Sequence, residues 1–335
     1  MNRLNQDIGI PEYFRSELSV VAQKATKDQG DAIVRLLFYT DPHHMPGGNQ
    51  LQAAAAIRRL AQLLPLDAIV CGGDFSENGP KEEVVQSQRE ILNALRVPEC
   101  PMLPVKGNHD DNSIHDFFRK TGSVEHVIFP IESYENWLKP LEGTVTFDKG
   151  NECGLYYYFD IPDKNTRVVI LNCIDIPYVT ADNGLLRQNG QWEYSFSERQ
   201  LDFVRRKVFD FGGKPNKDDW KAVIFSHVPI LQSGVTGADH EVAGGEAMWK
   251  IIRENRRHVV ACFFGHVHYD QVQIRDDIPM ISTLNAVSYK DFDDCPEKIK
   301  GTLSETVFDI VSINYLKGEL TATRFGAGED RVVSI

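Results

Sequence analysis

The sequence lacks closely spaced cysteines. Six cysteines are scattered over 335 residues, and no C-x-x-C pair occurs. Zinc fingers and iron–sulfur clusters need thiolate ligands at fixed spacing, so both are excluded. Cys71, Cys173 and Cys262 lie in apolar, strand-like runs, where a free cysteine acts as a small hydrophobic residue. We expect all six thiols to be reduced, which suits a cytoplasmic protein.

Long apolar runs and an excess of positive charge are also missing. No run approaches the ~18–20 apolar residues of a membrane-spanning helix, and residues 1–18 contain no signal-peptide core. We therefore expect a soluble protein without a membrane partner, either intracellular or a mature form whose leader has been removed. The net charge of −12 disfavours nucleic acid as a partner, because binding through phosphates needs Lys and Arg. An anionic substrate is compatible with this charge if metal ions supply positive charge locally.

Repeats and low-complexity segments are absent as well, and short apolar runs alternate with helix-period segments. Strands are predicted at 32–39, 66–74 (followed by a loop), 101–105, 154–162, 166–175, 220–227, 257–268, 304–315 and 319–325. Helices are predicted at 51–64, 81–95, 197–209 and 246–256. Ser197 and Gln200 have the spacing of a capping box. The alternation is typical of α/β architecture.

Five of these strands end on residues that can bind a metal. The clusters are Asp41-x-His43, Gly73-Asp74, Gly107-Asn108-His109-Asp110, Ser226-His227 and Gly265-His266-x-His268. Each alone has an ordinary explanation, since a strand-end Asp often caps a helix and a single histidine is often a loop residue. Together they indicate a site, because functional groups of α/β folds gather at the carboxyl ends of strands. Alternate strand residues share a face, so His266 and His268 are expected to address the same place.

The ligand types indicate two metal ions. Mixed carboxylate, imidazole and amide ligands suit manganese, iron, cobalt or zinc, whereas magnesium and calcium prefer oxygen ligands alone. The ligands are too many for one ion and enough for two that share a carboxylate. Two metals about 3.5–4 Å apart activate a bridging water and neutralise both the attacking and the leaving oxygen of a displacement at phosphorus. The histidine of G-N-H-D could then protonate the leaving oxygen.

The order D-x-H … G-D … G-N-H-D … H … G-H-x-H resembles the calcineurin-like metallophosphoesterase superfamily. The resemblance implies a four-layer α/β/β/α sandwich of two mixed sheets flanked by helices, with a dinuclear centre of divalent or mixed-valence manganese, iron or zinc at one edge. The ligands carried over by position are Asp41, His43 and His268 for one metal, Asn108, His227 and His266 for the other, and Asp74 between them. His109 would be the general acid, and Asp110 would orient or tune it.

The segments around these motifs favour one branch of the superfamily. GGDFSENG and KGNHDDN differ from the GDxVDRG and RGNHE of the Ser/Thr protein phosphatases. The tyrosine-rich strand, the VILN strand and the QLDFV helix are similar to the branch of class III cyclic-nucleotide phosphodiesterases, glycerophosphodiesterases and purple-acid-phosphatase-like enzymes. This implies hydrolysis of a small-molecule phosphodiester, or a phosphomonoester, by in-line attack of metal-activated water. The alternatives are a nuclease like the DNA-repair members, which the charge disfavours, and a non-catalytic binding module, which the complete ligand set disfavours.

We expect a single domain over residues 1–335, with its core at about 31–325 and a possible cap at 111–150. The aromatic residues of this cap could pack internally or hold a leaving group. His44 is extra to the ligand set and is interpreted as solvated, with contact to a substrate phosphate as the alternative. His240, on a glycine-rich loop, could approach the site. The acidic run at 291–294 is interpreted as a solvated loop.

Overall fold

A computed structural model describes residues 9–28, 30, 32–98, 100–232, 235 and 240–335. Within these ranges the α-helices are α1 (Glu12–Ala25), α2 (Gln50–Leu63), α3 (Lys81–Leu95), α4 (Ser113–Arg119), α5 (Pro130–Ser133), α6 (Glu198–Phe203) and α7 (Gly245–Glu254). Two of them, α5 and α6, continue as π-helical turns at Tyr134–Leu138 and Val204–Val208. Turns of 3-10 helix lie at 139–141, 152–154, 162–164, 217–219, 256–258 and 303–305.

The strands of the described residues form two large mixed sheets and a short ribbon. Sheet I runs, in spatial order, β15 (Arg331–Ser334), β14 (Glu319–Gly326), β13 (Val307–Asn314), β1 (Val34–Tyr39), β2 (Ala68–Cys71), β3 (Met102–Pro104). Sheet II runs β11 (Gln271–Arg275), β12 (Ile278–Ser282), β10 (Val259–Phe264), β8 (Lys221–Ser226), β6 (Thr166–Ile170), β5 (Tyr157–Ile161), β4 (Thr146–Phe147). The ribbon pairs β7 (Tyr194–Ser195) with β9 (Val242–Ala243).

Alternating side chains show how the layers stack. On β8, Val223 and Phe225 belong to the core that lies between the sheets, whereas Ala222 and Ile224 face the core formed with α6 and α7. The ring of Phe225 lies 5.2 Å from that of Phe38 on β1, measured between centroids. Helices α1, α2 and α3 bury their apolar residues against sheet I. The predicted four-layer α/β/β/α sandwich is therefore confirmed.

Local sequence signals explain several element boundaries. Helix α2 ends because Leu64, which precedes a proline, is extended (φ −143°, ψ 147°). The hydroxyl of Ser197 accepts the backbone N–H of Gln200 at 3.2 Å, as the capping spacing predicted. Helix α1 was not predicted; its Phe14 packs edge-on against Phe325 of β14, 5.2 Å between centroids. Both α1 and β15 lie outside residues 31–325.

Two further sequence expectations concern the cysteines and the segment 111–150. All six cysteines are free thiols. In the segment, Trp137 is buried with its ring 5.0 Å from that of Phe75, whereas Phe117 and Phe118 are exposed. Among the described helices, none has the length and apolar character needed to cross a membrane.

Candidate metal centre

The seven candidate ligands lie where the carboxyl ends of five strands meet. Strands β1, β2 and β3 are mutually parallel, as are β8 and β10, so within each sheet these strands end at the same edge. Hydrogen bonds join the loops at this edge. The N–H of Asp41 donates to the carbonyl of Gly73 at 3.1 Å. Nδ1 of His227, from sheet II, donates to the carbonyl of Gly72 in sheet I at 2.8 Å.

Five of the candidate ligands have a left-handed backbone. The φ angles of Asp41, His43, Asp74, His266 and His268 are 51°, 40°, 53°, 63° and 52°. This conformation costs a non-glycine residue about 1–3 kcal/mol and persists only where the surroundings enforce it. It also corrects the reasoning for His-x-His: β10 ends at Phe264, so the two histidines reach the same place from a strained loop and not from one face of a strand.

Asp41 contacts both histidines of the loop after β10, His266 and His268. The N–H of His266 lies 3.2 Å from each carboxylate oxygen of Asp41, and Nε2 of His268 lies 3.1 Å from Oδ1. The other ring nitrogen of His268 is 2.6 Å from Oδ2 of Asp291, which also accepts from Asn285 at 2.8 Å. A carboxylate on one ring nitrogen fixes the ring and leaves the other free to bind. Asp291 is exposed, as the interpretation of a solvated loop expected, and it also holds the ring of His268.

Asp74 and Asn108 lie between the remaining histidines. Oδ2 of Asp74 is 3.2 Å from Nε2 of His227 and 3.7 Å from Nε2 of His43. Oδ1 of Asn108 is 3.0 Å from both His227 Nε2 and His266 Nδ1. Nδ1 of His227 donates to a carbonyl, so Nε2 is the ring nitrogen that faces these oxygens, and loss of its proton would leave a lone pair there for a metal. Asp74 thus reaches histidines on both sides.

His43 supplies the test of whether metal ions fit. It is buried, yet neither of its ring nitrogens has a hydrogen-bond partner among the described residues. Buried polar atoms are normally paired, so an orphaned imidazole calls for a further ligand. Ligand atoms lie within 4.8 Å of one another in three groups: Asp41, His43, His268; Asp41, Asp74, His227; and His43, Glu77, His109. The donor set therefore fits divalent metal ions.

The electrostatics of the cluster agree with this fit. Burial lowers the pKa of His43 to about 4 and the pKa of His266 to about 3, so both rings are neutral lone-pair donors. Burial also opposes charge on His227 and His268, but the carboxylates facing them outweigh it and raise their pKa to about 9 and about 10. These carboxylates thus stabilise positive charge on the neighbouring rings. A metal ion would supply that charge in place of the protons.

His109 stands at the rim, with its side chain 20% exposed. Its Nδ1 lies 2.7 Å from the amide nitrogen of Asn78, and its Nε2 lies 3.0 Å from that of Gln191. The amide oxygens of both partners are buried and unpaired among the described residues. Rotation of either amide would present an oxygen to the ring, so the pair can accommodate neutral or protonated His109. Neither residue was predicted; Asn78 lies in the GGDFSENG motif, but Gln191 has no local signal.

The carboxyl of Asp110 binds backbone N–H groups. Its carboxyl oxygens accept N–H groups from Gly107 at 2.7 Å, Phe75 at 2.8 Å and Asp74 at 3.0 Å. Burial and the charge of Asp74 raise the pKa of Asp110 to about 8. Among the described residues no hydrogen bond joins this carboxyl to the ring of His109, and the expectation that Asp110 orients or tunes His109 stays a prediction. Asp110 joins the loop after β3 to the loop after β2 and so positions two candidate ligands.

The sequence left the roles of two other histidines, His44 and His240, undecided. His44 is buried, with Nε2 3.2 Å from Oε2 of Glu90 on α3, so its interpretation as solvated is wrong. His240 packs against Tyr194 at 5.6 Å between ring centroids, and Tyr194 in turn lies 5.4 Å from His266. The ring of Tyr194 therefore lies between His240 and the candidate ligand His266.

Comparisons with known proteins identify a matching family and similar solved structures. A family model described as calcineurin-like phosphoesterase matches residues 34–270. The fold is similar to that of a dimetal phosphatase from Danio rerio, with a TM-score of 0.62 and 15% identity over 90% of this chain and 98% of that one. An NAD nucleotidase from Haemophilus influenzae aligns with a TM-score of 0.44 and 11% identity over 90% of this chain and 49% of that one. No curated protein sequence matches the chain.

Proposed function

The chain belongs to the calcineurin-like phosphoesterase family, and we propose that it hydrolyses phosphoric esters of small molecules, phosphodiesters in preference to phosphomonoesters. One observation carries the proposal: two buried carboxylates, four imidazoles and an amide oxygen converge from five strand ends beside His109. The preference for diesters rests on the resemblance of residues 154–175 and of helix α6 to the phosphodiesterase branch.

We assign the ligands as the family resemblance implies, and the distances between their ligand atoms support the assignment. The group Asp41, His43 and His268 would hold one ion, supported by ligand atoms within 4.8 Å. Asn108 would hold the other together with His227 and His266, since its Oδ1 lies 3.0 Å from both rings. Asp74 would lie between the ions. Manganese, iron and zinc suit such a mixed set of nitrogen and oxygen donors.

The proposed ligands and His109 have different roles in the reaction. When bound, the ions would lower the pKa of a water molecule and neutralise charge on the phosphate. A water oxygen bonds to phosphorus, the proton that this water loses passes to bulk solvent, and the bond from phosphorus to the leaving oxygen breaks with its electron pair going to that oxygen. The ring of His109 donates the proton that the leaving oxygen takes, held in place by Asn78 and Gln191.

Two other functions receive less support. A nuclease needs basic residues to bind a phosphate backbone, and the net charge is −12. A binding module without turnover would not need His109 positioned by two amides. We also propose a cytoplasmic location, supported by six free thiols.

The test is metal analysis of the purified protein together with hydrolysis of bis(p-nitrophenyl) phosphate and p-nitrophenyl phosphate. We expect bound transition metal, cleavage with added Mn²⁺, loss of cleavage after chelation, and faster cleavage of the diester. A faster monoester reaction would replace the diesterase by a phosphatase. Bound metal without cleavage of either ester would favour the binding module, and absence of metal would overturn the site.

A further inference from the structure

Three aromatic side chains form an exposed cluster beside His109. Phe117, Phe118 and Trp192 are 46%, 66% and 42% exposed. The ring of Trp192 lies 5.7 Å from Phe117 and 5.5 Å from Phe118 between centroids, edge to face in both pairs. Large apolar side chains gathered on a surface mark a binding surface more often than scattered ones do. We call these three residues the aromatic cluster.

Two members of the aromatic cluster, Phe118 and Trp192, line a cavity that also contains His109. The cavity has a volume of about 450 Å³, within the range of small-molecule sites. Its wall combines aromatic and polar groups: Asn78, His109, Phe118, Arg119, Gln191 and Trp192. The proposed proton donor and the aromatic wall thus belong to the same cavity.

The polar groups of the cavity suit the edge of a heterocycle. The amide side chains of Asn78 and Gln191 line the cavity together with Arg119, whose guanidinium can stack on a ring face or pair with an anion. Aliphatic chains would leave such groups unpaired, whereas a flat ring system with donors and acceptors matches both the amides and the aromatic wall.

We propose that this cavity holds the leaving group of the substrate, and that the leaving group carries a flat, nitrogen-containing aromatic ring system, as a nucleoside does. The proposal rests on the proposed function, because it places the leaving oxygen at His109 and the rest of the leaving group toward Trp192. The phosphate would be bound by the ions that the proposed ligands would hold. The substrate class is therefore a nucleotide ester.

The first experiment needs no turnover. The chain has four tryptophans, of which Trp137, Trp220 and Trp249 are at most 2% exposed. Acrylamide quenching therefore reports on Trp192. We expect adenosine to protect this fluorescence while ribose does not, and Trp192→Phe to remove the quenchable signal. Equal quenching with and without adenosine would overturn the proposal.

The second experiment uses whichever p-nitrophenyl ester the Mn²⁺-loaded enzyme cleaves. We expect adenosine to inhibit competitively and ribose not to inhibit. Trp192→Ala should raise the Ki of adenosine about tenfold, and Trp192→Phe should restore it. The control Leu316→Ala alters a side chain that is 92% exposed at the opposite end of β13. Equal inhibition by ribose, or an unchanged Ki in Trp192→Ala, would overturn the leaving-group assignment while the phosphoesterase function stands. If neither ester is cleaved, the proposed function fails, and adenosine protection of Trp192 then decides the cavity separately.

Discussion

His109 and Asp110 are adjacent in the chain, but their side chains act on different parts of the site. The ring of His109 faces a cavity and is held by two amides. The carboxyl of Asp110 is buried and holds three backbone N–H groups. Substitutions of the two residues should therefore separate catalytic rate from stability.

We expect His109→Ala to retain metal and fold while kcat falls about 10²–10⁴-fold, the usual contribution of a positioned general acid. The loss should be larger for phenyl than for p-nitrophenyl esters, because the poorer leaving group depends more on protonation. Steady-state kinetics on the two esters, with metal analysis of the same samples, checks this. A variant emptied of metal would show that His109 is a ligand instead.

Asp110→Ala should act on stability. Removing the acceptor of three buried N–H groups is expected to lower the free energy of unfolding by about 3 kcal/mol, measured by urea denaturation. Metal affinity should weaken too, since Asp74 loses a backbone contact. As a control, Asp163→Ala changes an exposed carboxylate and should stay within about 0.5 kcal/mol of the parent protein. Equal effects of the two substitutions would contradict a positioning role.

At the scale of elements, a buried arginine connects the two sheets. Arg324 of β14 is 4% exposed. Its Nε lies 2.8 Å from Oδ1 of Asp309 on β13, and Nη1 lies 2.7 Å from Oδ2 of Asp270 in the loop after β10. That loop also carries His268, so the ion pair links the centre of sheet I to a candidate ligand segment of sheet II.

We expect Arg324→Leu to lower the free energy of unfolding by about 3 kcal/mol, because it leaves Arg331 as the remaining cation beside the buried carboxylate of Asp309 and the partly exposed carboxylate of Asp270. Chemical denaturation measures the loss. Arg205→Leu, in the exposed π-helical turn after α6, removes the same charge where the side chain is 55% exposed and should change stability little. A small effect of Arg324→Leu would mean that Arg331 alone neutralises Asp309.

Most elements could be predicted because buried parallel strands read as continuous apolar runs that stop at polar loops. The signal of α1 was also present, since its buried Phe14, Leu18 and Val21 follow helical spacing. The loop after β10 could not be predicted. Left-handed backbone at His266 and His268 arises from tertiary contacts and not from local propensity.

At the scale of the molecule, the gathering of the candidate ligands at one edge was predictable, and the residues that support them were not. Asp291, Asn78 and Gln191 reach the site from loops, and Gln191 lies 82 residues from His109 in sequence. No periodicity or spacing marks such pairs, because loop placement depends on the whole fold.

Removal of metal should destabilise the whole chain. Ions that bind the folded state and not the unfolded chain stabilise it by about 2.7 kcal/mol at 100 times Kd. We expect a chelator to lower Tm, and re-addition of Mn²⁺ to restore it. Asp74→Asn, which removes the carboxylate between the proposed ions, should lose metal and activity together and make Tm insensitive to the chelator. A Tm that ignores chelation in the parent protein would contradict the metal centre.

The left-handed backbone of the candidate ligands costs stability, so selection for stability and selection for activity favour different residues at these positions. Glycine adopts positive φ without the steric penalty that the candidate ligands bear at five positions. In a lineage that no longer used the metals, replacing such a residue by glycine would relieve strain and be favoured. A relative that has lost activity is therefore expected to show glycine at these positions early.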